Sequence, residues 1–234
     1  MTQPTEEKKA SFTDKMRVWF RWYYYPIASF LNRIGIRPNT VTLIGLAGTV
    51  GVAVLIVLGH MTWAGILLLI MGPVDAMDGA LARMRNEASA WGAFVDAVTD
   101  RYSELFLFLG FLMYYMAHPG PLSSTLGILF AYLAAAGSVL VSYVKARADA
   151  SKLDANVGLL TRVERYLVLI PGLIFSGLYP PLALIALIVI AVFANFTALQ
   201  RISVCGGMRS ANYPTLRSSS CPPCQMVLIF LYRF

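Results

Sequence analysis

Three intervals of the chain carry no charged residue: Pro38 to Val74, Leu105 to Val144 and Tyr166 to Gln200. Each is long enough for one or two helices that cross a hydrocarbon layer, which takes about 20 apolar residues per crossing. Turn-forming residues divide every interval. They are Gly59-His60 in the first, Ala117-His118-Pro119-Gly120-Pro121 in the second and Tyr179-Pro180-Pro181 in the third, and Pro and Gly interrupt helices. The pattern predicts spans over 40–59, 62–84, 90–117, 122–149, 161–178 and 181–203. The expected fold class is therefore all-α, a polytopic membrane protein with six transmembrane helices.

Ahead of the first span, Phe12 to Ile36 mixes Met16, Trp19, Phe20, Trp22, Tyr23, Tyr24 and Tyr25 with Lys15, Arg17 and Arg21. This reads as an N-terminal amphipathic helix lying in the membrane interface; a simple aromatic belt accounts for the same residues. Residues 1–11 are polar and are expected to be disordered. No cleavable signal peptide is expected, because the first long apolar run starts only near residue 40.

Composition agrees with a bilayer environment. Of the 234 residues 58% are hydrophobic and 13% charged, against about a quarter charged in soluble domains, and the mean hydropathy is +0.65. Charge also sets an expected orientation. Lys8, Lys9, Lys15, Arg17, Arg21, Arg33 and Arg37 precede the first span, Arg83 and Arg85 follow the second, and Lys145, Arg147, Lys152, Arg162 and Arg165 flank the loop after the fourth. Arg201 and Arg209 follow the sixth, and the three opposite loops hold no Lys or Arg. Cationic residues favour the cytoplasmic flanks of membrane helices, so both termini are expected in the cytoplasm, in a multi-pass protein of the cell membrane. The net charge of +7 reads as topology and attraction to anionic lipid; with no basic groove or soluble domain evident, nucleic acid is not an expected partner.

Against this apolar background stands the series Asp75-x-x-Asp78-Gly79-x-x-Ala82-Arg83, eight residues, Gly92-x-x-x-Asp96-x-x-x-Asp100. Spacings of three and four put Asp75 with Asp78, and Asp96 with Asp100, on single helix faces. Four acids beside a hydrocarbon layer repel one another and would take up protons unless cations hold them, so a divalent-metal site follows. Gly79, Ala82 and Gly92 also suit ordinary packing of small residues between membrane helices.

The complete pattern from Asp75 to Asp100 resembles the signature of the CDP-alcohol phosphotransferase family, membrane enzymes that transfer a phosphatidyl-type group from a CDP-linked lipid to an alcohol and release CMP. The resemblance covers roughly residues 12–203. It implies that Asp75, Asp78, Asp96 and Asp100 bind two divalent ions, Mg²⁺ or Mn²⁺, with Asp100 also the general base for the acceptor hydroxyl. It further implies that Asp78, Gly79, Arg83 and Gly92 meet the nucleotide. The physical reasons are compatible: two cations stabilise charge on the attacked and leaving groups, oxygen ligands suit such ions, glycine lets a ligand approach the backbone, and a guanidinium matches a pyrophosphate. Upstream, Pro38-Asn39-Thr40-Val41-Thr42 resembles the family's Pro-Asn-x-x-Thr segment, placing Asn39 and Thr40 near the nucleotide; helix capping by either is an equal alternative. A homodimer is a further implication of the family.

Ser142-Tyr143-Val144-Lys145-Ala146-Arg147-Ala148 and Glu164-Arg165 resemble the branch that makes phosphatidylinositol phosphate, or its archaeal ether-lipid counterpart, from inositol 1-phosphate. By that resemblance Lys145, Arg147, Arg162, Arg165 and Arg201 contact the acceptor phosphate. The donor is expected to be CDP-diacylglycerol or a CDP-linked ether lipid. Thr161 stands where the branch often has Glu. The alternatives are the same chemistry with glycerol 3-phosphate as acceptor, and a non-catalytic carrier that uses the acids as transport ligands for divalent cations. Residues 12–203 are read as the enzymatic membrane domain and 204–234 as an atypical tail, where Cys205, Cys221 and Cys224 all lie. Cys221-Pro-Pro-Cys224 supplies only half of a usual structural zinc site, so an unstructured tail is the expected reading.

Overall fold

A computed structural model of the chain describes residues 29, 32–35, 38–85, 89–119, 123–151, 158 and 161–212, without the side chains of residues 75, 76, 123 and 207–212. It is all-helical: α1 Pro38–Val57, α2 Met61–Met84, α3 Ala90–Ala117, α4 Ser123–Ala150, α5 Arg162–Ser176 and α6 Pro181–Asn212. Most of the expected interfacial helix and the tail beyond residue 212 lie outside the described residues.

Local sequence explains the boundaries. Pro38 and Pro181 each open a helix, where the missing N–H costs nothing and φ is already helical. Gly59 takes φ +81° in the turn between α1 and α2, a left-handed geometry that glycine adopts without a Cβ clash. Ser89 caps α3 by accepting a 3.0 Å hydrogen bond from the Gly92 N–H. At the start of α5, Glu164 accepts a hydrogen bond from the Thr161 N–H, half of a capping box. Pro73 and Pro171 lie inside α2 and α5.

The observed helices follow the predicted spans closely, with one difference. The change of composition near Cys205 does not end α6, which continues to Asn212. Gly and Ser lower helix propensity without forbidding a helix. By length and hydropathy, four helices meet the requirement for crossing a membrane: α1, α2, most of α4 and α6 to Gly206. The first turns of α3 carry Asp96, Asp100, Arg101 and Glu104, and α5 has 15 residues.

The principal contacts are α1 with α2 and α3, α2 with α5, α5 with α6, α6 with α4, and α4 with α3. They close into a ring in the order α1, α2, α5, α6, α4, α3. Val52 and Ile56 of α1, Leu68 of α2, Leu107 and Phe111 of α3, Leu169 and Leu173 of α5, and Leu187 and Ile190 of α6 fill its interior. Glycines allow close approach. A Cβ on Gly110 would lie 2.9 Å from the Ala53 backbone, and one on Gly65 2.9 Å from the Ile174 nitrogen. Helices alternate in direction, so the start of α1, end of α2, start of α3, end of α4, start of α5 and later part of α6 all contribute to one end of the ring. A second apolar cluster of Val41, Met77 and Leu81, with Val74 against it, underlies that end.

Candidate active site

Among the described side chains of the motif, Asp78 is the most constrained acid. It is buried near the end of α2. Its Oδ1 accepts from the Gly79 N–H and its Oδ2 from the Thr42 hydroxyl, both at 2.6 Å. The Thr42 hydroxyl also lies 3.2 Å from the Pro38 carbonyl, one turn earlier in α1. Asn39 and Thr40 are exposed inside the first turn of α1 rather than at its cap, so the expected alternative of helix capping by either does not hold. Thr42 belongs to the same Pro-Asn-x-x-Thr segment and was the residue to single out, because one turn beyond Pro38 it faces α2.

Asp96 and Asp100 are half-buried on the first turns of α3. Asp78, Asp96 and Asp100 lie close enough for their charges to act on one another. Asp75 is on α2 one turn before Asp78, with its side chain outside the described residues. Among the described side chains no three acids form a ready cation cage. The donor chemistry nevertheless fits divalent metal: carboxylate oxygens of like charge brought together from two helices, the set that hard cations favour.

Gly79 and Gly92 differ from the packing glycines. A Cβ on Gly79 would approach Arg83 Nη1 at 3.5 Å, and one on Gly92 would approach Ser89 Oγ at 3.3 Å. Among the described residues neither meets a neighbouring helix, in contrast to Gly110 and Gly65. Arg83 itself is exposed beside Gly79, where its guanidinium is accessible to an anionic ligand.

Opposite the acids stands the start of α5. Arg162 forms an ion pair with Asp100 through Nη1 and places its Nε 3.8 Å from Glu104 Oε1. Its Nη2 donates to the Tyr166 hydroxyl at 3.2 Å, and the guanidinium lies 5.4 Å from the Tyr166 ring centre. Arg165 is buried and ion-paired with Glu104. Arg201, buried on α6, donates from Nη1 to the Val141 carbonyl at 2.8 Å and lies within electrostatic reach of Arg165 and Asp149. Of the five expected phosphate contacts, Arg162 thus pairs with Asp100, Arg165 pairs with Glu104, and Arg201 lies within electrostatic reach of Arg165. Lys145 and Arg147 stay exposed on the last turns of α4. Glu104 was not assigned from sequence, although it continues the 96–100 spacing by one more turn.

Comparison with known proteins gives this arrangement a setting. Residues 36–207 match the family described as CDP-alcohol phosphatidyltransferase. A phosphatidylinositol phosphate synthase of Mycobacteroides abscessus is 38% identical over 181 residues, which are 76% of this chain and 80% of that protein. The crystal structure of Mycobacterium tuberculosis phosphatidylinositol phosphate synthase with CDP-DAG bound is similar with a TM-score of 0.71 at 30% identity, covering 78% of this chain and 92% of that one. The structure of the same synthase in complex with manganese and citrate gives 0.72 at 30% identity, over 78% and 88% of the respective chains.

Proposed function

Because this chain belongs to the CDP-alcohol phosphatidyltransferase family and is an enzyme of that type, we propose that it joins the phosphatidyl group of CDP-diacylglycerol to inositol 1-phosphate and releases CMP. The observation that carries this reading is the Asp100–Arg162 ion pair, which sets the acidic stripe of α3 directly against the arginine face of α5. A base for a hydroxyl and a guanidinium for a phosphate then stand side by side. The names of the relatives, and the CDP-DAG bound to one of them, support the same donor and acceptor.

Asp75, Asp78, Asp96 and Asp100 would hold two divalent cations, Mg²⁺ or Mn²⁺, which when bound supply positive charge to the pyrophosphate during attack and departure. The chain's own groups do the rest. Arg83 and the open backbone at Gly79 and Gly92 receive the nucleotide pyrophosphate. Arg162, with Arg165 and Arg201 behind it, holds the acceptor phosphate through charge-assisted hydrogen bonds; Lys145 and Arg147 extend the positive field at the rim. As the acceptor phosphate draws on the Arg162 guanidinium, Asp100 is relieved of its ion pair and accepts the proton of the attacking hydroxyl. A bond forms between that oxygen and the lipid-side phosphorus, the bond from this phosphorus to the bridging oxygen breaks, and CMP leaves. Six bilayer spans, a cytoplasmic active site, an interfacial N-terminal helix and a homodimer complete the proposal, supported by the segregation of Lys and Arg and by the family.

The test is product identification. Purified protein in detergent, given CDP-diacylglycerol and Mg²⁺, is expected to yield phosphatidylinositol phosphate by mass spectrometry with inositol 1-phosphate. A phosphatidylglycerol phosphate product from glycerol 3-phosphate, with none from inositol 1-phosphate, would replace the acceptor while leaving the chemistry in place.

A further inference from the structure

Glu104 lies outside the signature of acids and takes no part in the transfer chemistry described above, yet it is 4% exposed and faces Arg165, which is also 4% exposed. Its Oε1 carries two relationships, the ion pair with Arg165 and the 3.8 Å approach of Arg162 Nε. The two arginines are three apart at the start of α5 and share a face. Glu104 and Asp100 are four apart on α3 and share another. Helices α3 and α5 are not neighbours in the principal packing order, so this set of charges bridges the interior of the ring rather than sealing an ordinary helix seam.

We infer that Glu104 is a positioning residue for the anionic acceptor: its single carboxylate anchors Arg165 and steadies Arg162, so that α5 presents the two guanidiniums as a fixed pair. The inference rests on the proposed use of a phosphorylated acceptor. Asp100 cannot perform the anchoring itself, because it must give up Arg162 when it turns to the acceptor hydroxyl. A second carboxylate one turn further along α3 keeps the arginine in place through that exchange. Burial strengthens the effect, since a charge pair removed from water is attracted more strongly and the long arginine side chain is ordered before the ligand arrives. Tyr166 adds a second support to Arg162 from its own helix.

The experiment compares wild type, Glu104→Gln and Glu104→Asp as full chains in detergent. It measures initial rates of CMP release against inositol 1-phosphate and against CDP-diacylglycerol, inhibition by inorganic phosphate, and thermal unfolding. Glu104→Gln is expected to raise the acceptor KM about tenfold or more, the scale of one hydrogen bond to a charged group, and to weaken inhibition by phosphate in parallel, with the donor KM held within about twofold. Glu104→Asp, which keeps the charge, is expected to recover part of the acceptor KM. If Glu104→Gln does not accumulate as folded protein, Glu104→Asp alone carries the comparison and is expected to show a smaller rise in the acceptor KM with the donor KM held. An unchanged acceptor KM, or equal losses toward both substrates, overturns the positioning role. Wild-type activity confined to an unphosphorylated acceptor would overturn the functional reading first, and this inference with it.

Discussion

The Thr42 hydroxyl donates a 2.6 Å hydrogen bond to Asp78 Oδ2 across 36 positions of sequence, joining the first turns of α1 to the acidic end of α2. With the Gly79 N–H on the other oxygen, it fixes the plane of a buried carboxylate. Ligating carboxylates are themselves commonly held in this way, and losing such a support typically costs about 10- to 100-fold in metal affinity. Thr42→Val, similar in shape but without the donor, is expected to raise the Mg²⁺ concentration for half-maximal CMP release by roughly tenfold. It should also destabilise the fold by about 1–3 kcal/mol. Thr42→Ser should stay near wild type in a magnesium titration and in thermal unfolding.

Asp100→Asn tests the base. An amide cannot take the hydroxyl proton, so CMP release should fall by roughly 10²-fold or more, while CDP-diacylglycerol binding, read by equilibrium binding in detergent, changes only a few-fold. Normal turnover by the variant would remove Asp100 from the proposed role.

Removal of divalent metal tests the convergence of Asp78, Asp96 and Asp100. Dialysis against EDTA should abolish CMP release, and Mg²⁺ or Mn²⁺ should restore it without refolding. Full activity in EDTA would contradict the assignment of the acids.

The glycines separate packing from chemistry. Gly110→Ala forces a methyl to within 2.9 Å of the Ala53 backbone; overpacking of this kind costs about 1–3 kcal/mol. Its unfolding temperature should fall. A Cβ on Gly206 meets nothing within 4 Å inside α6, so Gly206→Ala should unfold at or slightly above the wild-type temperature. Gly79→Ala should instead retain stability and lose affinity for the nucleotide.

Much of the helical layout was legible because charge-free runs punctuated by Pro and Gly leave few alternatives: α3 coincides with the predicted 90–117 and α2 differs from its prediction by one residue at its start. The end of α6 was less legible, since Ser and Gly near Cys205 change composition without forcing the backbone out of a helix. At the site, the spacing of Asp96 and Asp100 announced a shared face. The partner of Asp100 was not readable, because it comes from Arg162 at a sequence distance that no periodicity spans. Arg165 illustrates the same limit: its charge was visible, but its burial against Glu104 depends on how α5 is set against α3. Thr42 was visible as part of a segment, whereas its hydrogen bond required the packing of α1 on α2.

The most direct measurement is the ratio of kcat/KM for inositol 1-phosphate to that for free inositol, from CMP release with CDP-diacylglycerol and Mg²⁺, in wild type and in Arg162→Met. The arginine face is predicted to favour the phosphorylated acceptor strongly in wild type, with the ratio falling at least about tenfold in the variant as a charged hydrogen bond is lost. A wild-type ratio near one, or a ratio that Arg162→Met leaves unchanged, would contradict the assignment of this face to the acceptor phosphate.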